Sequence, residues 1–167
     1  MVWYALLIAV VAAERLAELV VSQRNLSWSR EHGGVESGAG HYPAMVALHT
    51  GLLAGCLVEA SFRPFVPALG WPMFAAVLAA QALRWWCIAT LGRQWNTRVV
   101  VIPDAARVTR GPYRFVAHPN YVAVVVEGLT LPLVHTAWLT AAVFTVLNAV
   151  LLRTRIRVEN AALSGLR

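Results

Sequence analysis

The sequence predicts an all-α polytopic membrane protein with about five transmembrane helices, and three observations point there. Apolar residues make up 59% of the 167-residue chain and charged residues 13%, against roughly 25% charged in an ordinary soluble domain. The apolar residues come in long blocks, of the length that a bilayer-spanning helix of about 20 residues requires. The 14 basic residues, all of them arginine, gather at the edges of those blocks, where anionic headgroups and the positive-inside bias draw them. The length suits a single domain, residues 1–167.

The first helix is read over residues 1–21, interrupted only by Glu14, Arg15 and Glu18. Glu14 and Glu18 are four apart and share a helix face, with Arg15 beside them. Charges in a membrane helix turn toward the protein interior or a wet cavity. The block lacks a basic leader and a small-residue cleavage site, so it reads as a retained helix and not as a secretory signal. Ser22–His41, with Gly33, Gly34, Gly38 and Gly40, reads as a loop.

The second helix is expected over residues 42–62, with His49 and Glu59 inside it, and Arg63, Pro64 and Pro67 mark a short turn. The third runs over 70–91, containing Gln81 and Arg84 and ending near Trp85–Trp86, aromatic residues suited to an interface. Gly92–Asn120 is the longest polar segment, with Arg93, Arg98, Arg107, Arg110 and Arg114 against one acid, Asp104. Its Arg98–Ile102 run has strand composition, but nothing supplies a partner, so it reads as ordered loop.

Tyr121–Leu152 is too long for one span of about 20 residues. Pro132 and His135 near its centre suggest a hairpin of helices over 121–133 and 136–152, a single kinked helix being the other solution. The tail holds Arg153, Arg155, Arg157 and Glu159, and becomes helix-compatible at Glu159–Leu163. With five spans, the Ser22–His41 loop, the Gly92–Asn120 loop and the tail share one side, leaving only Arg63 in the outer turns. The positive-inside rule makes the basic side cytoplasmic and puts the N-terminus outside the plasma (inner) membrane. The same distribution directs the net charge of +6 to membrane lipids; no nucleic acid is expected.

Several chemistries are excluded. Cys56 and Cys87 sit in apolar blocks without metal spacing, the five histidines form no zinc pattern, and no metal site is expected. No GxGxxG or Walker motif follows a strand, which excludes a Rossmann-type domain within this chain.

The densest polar signal is Gly111-Pro112-Tyr113-Arg114-Phe115-Val116-Ala117-His118-Pro119-Asn120-Tyr121. Gly111-Pro112 breaks the preceding element, Pro119 steers His118 away from helical angles, and Asn120 is a candidate cap for the helix starting near Tyr121. His118 then lies at the mouth of a membrane helix beside free backbone N–H groups, which favour anions. A well-capped loop-to-helix junction with no further role accounts for the same residues. In the tail, Arg153 and Arg155 suit a positive-inside anchor, whereas Glu159 suits pairing with an arginine or accepting hydrogen bonds from an amine or ribose. Glu127, less than two turns beyond Tyr121, is placed to reach the mouth. Glu14, Glu18 and Arg84 are candidates for a buried ion-pair cluster or for the site. Glu59 reads as structural and His49 as an interhelical hydrogen bonder.

These residues resemble the isoprenylcysteine carboxyl methyltransferase family. The resemblance rests on Gly111-Pro112-Tyr113-Arg114, on His118-Pro119-Asn120-Tyr121, on Leu91-Gly92, Trp95, Arg98 and Thr109-Arg110 upstream, and on Arg157 and Glu159 after the hairpin. It covers roughly residues 84–163, and its short form is similar to small bacterial members. It implies a cytosolic pocket for S-adenosylmethionine made by the last loop, the hairpin and the tail, and a lipophilic substrate entering from the bilayer. Carried over by position, Tyr113, His118, Pro119 and Tyr121 line the cofactor site, and Arg157 and Glu159 close it. Trp95 or Tyr113 would face the sulfonium through cation–π contact.

The implied reaction is methylation of a lipophilic carboxylate or of a hydroxyl, as in a long-chain pyrone or phenol. A carboxylate needs no base; for a hydroxyl, His118 or Glu127 is the candidate, and an arginine such as Arg157 would orient an anionic headgroup. Two positions depart from the family pattern: Ala117 stands where an arginine is usual, and Asn160 where a second acid is frequent. A membrane NAD(P)H-dependent lipid reductase shares the His-Pro-x-Tyr mouth, but generally has more spans. A non-enzymatic scaffold would not explain polar motifs gathered on one face.

Overall fold

The computed structural model describes residues 1–103 and 105–164; Asp104 and residues 165–167 lie outside them. The described chain is mostly helical. The long helices are α1 (Val2–Glu31), α2 (Tyr42–Ala60), α3 (Pro67–Leu91), α4 (Pro119–Leu133) and α5 (Trp138–Ser164), and two short strands, β1 (Val35–Ser37) and β2 (Val99–Val101), join them. Three helical segments are long and apolar enough to cross a membrane: Ala39–Ala60, Pro67–Gln94 and Trp138–Ser164. The charges at Glu14, Arg15 and Glu18 set α1 apart from that group. Fifteen residues set α4 apart, since they span about 22 Å at 1.5 Å per residue.

Prolines set several helix starts. Pro43, Pro67 and Pro119 occupy the first turns of α2, α3 and α4, where the missing N–H costs nothing and φ is already helical. Between α4 and α5 the chain turns sharply. Thr136 takes a positive φ of 57°, and its hydroxyl donates to the Pro64 carbonyl at 2.7 Å. The expected hairpin break therefore exists. Glu59 closes the start of α5 from outside, its carboxylate accepting from the Leu139 and Thr140 N–H groups at 3.1 and 2.8 Å. Those are orphan donors of a helix start, where negative charge is favoured.

Four expectations are corrected. α1 continues to Glu31, because Ser22, Asn25 and Ser29 extend its buried face; Ser22–His41 is thus not simply a loop. Arg98–Ile102 does find a strand partner, since Val99–Val101 pairs antiparallel with Val35–Ser37, so the fold is all-α apart from this ribbon. The tail is no separate element but the continuation of α5 to Ser164. His49 is not an interhelical bonder: its Nδ1 contacts the Met45 carbonyl of its own helix at 2.9 Å, and its ring meets the Phe144 ring edge-on.

The surface is inverted relative to a soluble protein. Leu6, Val10, Leu78, Val125, Leu139 and Val146 are exposed, while Glu18, Arg84, Glu127 and Asn148 are buried. Lipid as the outer solvent accounts for both. At one end, Tyr4, Ile8, Val11, Leu52, Cys56, Leu131 and Phe144 pack as an apolar core. The Tyr4 hydroxyl donates to the Leu131 carbonyl at 2.9 Å, an acceptor left open because His135 N–H bonds Pro132 instead.

At mid-depth, α1, α3 and α4 are joined by charge. Arg15 lies 3.0 Å from Glu18 and 3.8 Å from Glu127, and Arg84 lies 3.7 Å from Glu18 and pairs directly with Glu127. Gln81 links this group to Glu14 and accepts from Arg15 at 3.0 Å. Arg84 and Glu127 are each 5% exposed. Removing one partner of such a pair leaves an uncompensated charge.

Arg84→Met is expected to destabilise the protein by about 3–5 kcal/mol, read as a lower denaturation midpoint in detergent. Unchanged denaturation would mean that the cluster does not hold the three helices together. Where α4 meets α5, a Cβ on Gly128 would collide with the Phe144 ring. Gly128→Ala is therefore expected to cost about 1–3 kcal/mol in the same assay; wild-type stability would show that this contact is not tight.

Candidate active site

At the end opposite the apolar core, the extensions of α1 and α5 flank the Gly92–His118 segment. Gly92 ends α3 with φ 55°. Asn25 of α1 then pins the following turn, donating to the carbonyls of Gly92 at 3.1 Å and Trp95 at 2.7 Å. Ser22, one turn earlier on the same face, donates to Asn96 Oδ1 at 3.0 Å and accepts the Thr97 N–H at 3.0 Å. The β ribbon follows, clamped by Glu36, whose carboxylate accepts from Arg98 at 2.6 Å. That bond holds the Glu36 carboxyl below its ordinary range.

Gly111 opens the short 3-10 turn Gly111–Arg114 with φ 57°. A Cβ there would meet Thr90 Oγ1 at 2.5 Å, so both backbone angle and space call for glycine. The turn presents Tyr113 inward. Burial raises the pKa of its phenol, so it stays a neutral hydrogen-bonding group.

His118 is the residue before α4, and no side chain caps that helix start. Asn120 therefore does not serve as the expected cap. Its Oδ1 is instead buried without a hydrogen-bond partner. His118 stacks on Tyr121 with ring centroids 5.4 Å apart. Glu159 of α5 joins them, accepting from the Tyr121 hydroxyl at 2.5 Å and facing His118 Nδ1 at 3.4 Å. His118 Nε2 lies 3.2 Å from Asn160 Oδ1. Both ring nitrogens thus face acceptors, a setting that suits the doubly protonated imidazolium.

Three cavities meet these residues. A cleft of about 600 Å³ runs between the loop and the α5 extension, with Tyr113, Ala117, His118, Glu159 and Asn160 on its walls. It adjoins a smaller cavity of about 120 Å³ that reaches Trp95, Asn96, Asn120, Tyr121 and Arg155. Those same five residues form one wall of a third cavity, about 290 Å³, which extends toward Arg15, Glu18 and Arg84. Leu16, Leu19 and Val46, also in its lining, are exposed on the outer faces of α1 and α2.

The five predicted site residues Trp95, Tyr113, His118, Tyr121 and Glu159 come together around the two loop-side cavities. Pro119 is buried at the start of α4 and lines none of these cavities. Arg157 is exposed and lines none either, and Glu127 is held in the ion-pair cluster. Arg155 takes the place expected of Arg157. It is 6% exposed and donates to the Thr97 carbonyl at 2.8 Å and the Met45 thioether at 2.9 Å. The missed signal was spacing. Arg155 and Glu159 are four apart and share a helix face, whereas Arg157 projects to the other side. Ser22, Asn25, Asn96 and Thr97 carried no such signal.

A nucleoside cofactor with an amine and a sulfonium fits this donor set. Glu159 offers carboxylate acceptors, Tyr113 offers an aromatic face, and the Trp95 and Asn96 side-chain N–H groups are buried without partners. Among the described residues, no group of His, Cys, Asp or Glu is arranged to hold a metal ion.

Hydrogen bonding to Glu159 raises the pKa of His118 above its ordinary 6.5. The pairing therefore contributes fully below that value and is lost as pH rises through the raised one. Denaturation temperatures in detergent, taken from below pH 6.5 upward, should fall in the wild type and lose that slope in His118→Asn. An identical slope in the variant would assign the pH dependence elsewhere.

The sequence model of the isoprenylcysteine carboxyl methyltransferase (ICMT) family matches residues 73–165, a stretch running from α3 through the loop, the hairpin and the α5 extension. The chain is also 38% identical over 159 residues to the uncharacterized protein YpbQ of Bacillus subtilis (strain 168), an alignment covering 95% of each chain. Together with the inverted surface and the membrane-length helices, these matches place the chain in the isoprenylcysteine carboxyl methyltransferase family of membrane methyltransferases.

Proposed function

We propose that the chain is an S-adenosylmethionine-dependent O-methyltransferase acting on a lipophilic carboxylate or hydroxyl at the membrane surface. One observation carries this reading: the smaller loop-side cavity shares Tyr113, His118 and Glu159 with the cleft, and a wall of Trp95, Asn96, Asn120, Tyr121 and Arg155 with the bilayer-side cavity. A polar cofactor and an apolar substrate need separate entrances and one meeting point. The cleft of about 600 Å³ lies within the roughly 300–1,000 Å³ of small-molecule sites. The third cavity reaches the lipid between α1 and α2, where an alkyl tail would enter.

The cofactor supplies a methyl group on a positively charged sulfur. Glu159, already oriented by Tyr121 and His118, would accept hydrogen bonds from its amine or ribose hydroxyls. The face of Tyr113 would stabilise the sulfonium, and the buried Trp95 limits water at the reacting centre. The shared wall would bring the substrate oxygen to about 3–3.5 Å from the methyl group. A carboxylate reacts without a base. For a hydroxyl substrate, His118 is near the wall, but its pairing with Glu159 favours the protonated state, which is the wrong form for a base.

In this reading the chain is one domain with five crossings, α1 and the short central α4 included, and its site end is cytoplasmic. Arginine placement supports that orientation. Arg93, Arg98, Arg107, Arg110 and Arg114 in the loop, and Arg153, Arg155 and Arg157 on α5, belong to the site end, against Arg63 at the other. Basic residues at a membrane edge answer to lipid headgroups, not to nucleic acid.

Calorimetry on detergent-purified protein tests the cofactor. Saturable binding of S-adenosylmethionine, with none of NADPH, is expected. Glu159→Gln and His118→Ala should each weaken it about ten- to a hundredfold, the equivalent of one charge-assisted hydrogen bond at roughly 1.5–3 kcal/mol. NADPH binding instead would move the protein to the lipid-reductase class.

A further inference from the structure

We infer that the bilayer-side cavity holds a second recognition point, Asn148 of α5 with His49 of α2, for a hydroxyl on the lipophilic body of the substrate. The inference rests on the methyltransferase reading above and adds a substrate class to it: an amphiphile with a methyl-accepting head, an apolar spacer and a hydroxyl beyond the spacer.

Asn148 is left without an answer in the membrane interior. It is 3% exposed, its Oδ1 has no hydrogen-bond partner among the described residues, and it lines the cavity of about 290 Å³. A buried unpaired acceptor costs about 1–3 kcal/mol. A leucine of similar size would fill the same place on α5 at no such cost. The charged residues of this cavity do not satisfy the amide, because they are committed to one another. Arg84 is engaged with Glu127 and Glu18, and Arg15 with Glu18 and Gln81.

His49 supplies a second acceptor from the facing helix. Its Nδ1 lies 2.9 Å from the Met45 carbonyl. A carbonyl only accepts, so Nδ1 carries the proton and Nε2 of the neutral ring is an acceptor. The His49 ring packs edge-on against Phe144, which lies one turn before Asn148 on the same face of α5. The two polar side chains therefore belong to one region of the α2–α5 seam, and both line the cavity.

The lining is graded along the cavity's length. The wall shared with the loop side is polar. Val124, Leu151 and Leu152 follow it, and then come Asn148 and His49. Asn148 precedes Arg155 of the wall by seven residues, two turns of α5, or about 10 Å at 1.5 Å per residue. A purely hydrocarbon tail passing this point would seal both acceptors away from any donor. A hydroxyl at about that distance from the reacting oxygen donates to Asn148 and leaves the apolar stretch to the chain between. It takes no part in methyl transfer; it selects which amphiphiles rest with their head at the wall.

The test uses two pairs of probes that differ only in the distal hydroxyl: octanoate against 8-hydroxyoctanoate, and 1-octanol against 1,8-octanediol. Each is titrated calorimetrically into protein in maltoside micelles, and the affinity ratio within a pair, hydroxylated over plain, is compared between wild type and variants. Two pairs make the result independent of the class of head group. Asn148→Leu should lower the ratio about fivefold, the worth of one neutral hydrogen bond, with the plain probe bound as tightly as in wild type or more tightly. His49→Phe should lower the same ratio, and Thr50→Val, in the same cavity, should leave it unchanged. If Asn148→Leu does not fold, His49→Phe decides. Ratios equal to wild type in the folded variants, or a wild type that binds neither hydroxylated probe, would overturn the inference. S-adenosylmethionine binding is measured alongside. A ratio that depends on Asn148, in a wild type that binds no S-adenosylmethionine, would uphold the hydroxyl point and sink the methyltransferase reading.

Discussion

Three carboxylates and two guanidiniums meet where α1, α3 and α4 cross at mid-depth, and the position of α4 follows from them. α4 has fifteen residues and too little length to be fixed by the bilayer alone. Its depth is fixed instead by Glu127, which Arg84 of α3 and Arg15 of α1 hold. Tyr121 lies six positions before Glu127, and His118 nine. The ion pairs thus set the height at which the mouth of α4 meets the loop after α3. Charges buried this way contribute little net stability compared with apolar packing, but they are costly to separate. In a lipid-solvated bundle, where apolar contact does not distinguish neighbouring helix from lipid, they supply the register.

α1 carries the same logic along its length. Its inward stripe passes from Tyr4, Ile8 and Val11 in the apolar core, through Glu18 in the ion cluster, to Ser22, Asn25 and Ser29 beside the loop. One helical face serves three environments in turn. The last part replaces hydrophobic contact with hydrogen bonds to a segment that has few of its own. The loop from Gly92 to His118 is therefore ordered by α1 from one side and by α5 from the other, with the β1–β2 ribbon between them.

What the sequence made legible follows from these differences in physics. Apolar blocks and arginine placement revealed the helical membrane class, because solvation by lipid acts on composition directly. The His118–Tyr121 motif and Glu159 marked the candidate site, because polar residues gathered at a helix mouth are locally visible. The course of α1 beyond Val21 was hidden because Ser22–Glu31 is polar except for Leu26 and Trp28, too few apolar positions to show a period. Its helical period shows only once Ser22, Asn25 and Ser29 are seen as a continuation of the buried stripe. The partner of Val99–Val101 lay more than sixty residues away, beyond any local pattern. Arg157 drew attention over Arg155 because the family resemblance carried Arg157 over by position, while Arg153 and Arg155 suited a positive-inside anchor. A helix through the tail reverses that choice, since it is residue 155 that shares the face of Glu159.

That helical face has a consequence for the reaction. Arg155 and Glu159 stand one turn apart on α5, and they address opposite sides of the shared wall. Arg155 lines the bilayer-side cavity as well as the smaller loop-side one, while Glu159 lines only the loop side. On the proposed reading, a cationic cofactor is drawn toward Glu159 and repelled by Arg155, and a carboxylate substrate experiences the reverse. A single turn of helix then orders the two reactants along the line of transfer, with Tyr121 between them, bonded to Glu159 through its hydroxyl and facing Arg155 with its ring. The departure at Asn160 fits this polarity. A second acid beside Glu159 would hold His118 by charge, whereas the Asn160 amide does so by a neutral hydrogen bond. One carboxylate in the cleft is enough to orient a single cation, and its charge is not divided.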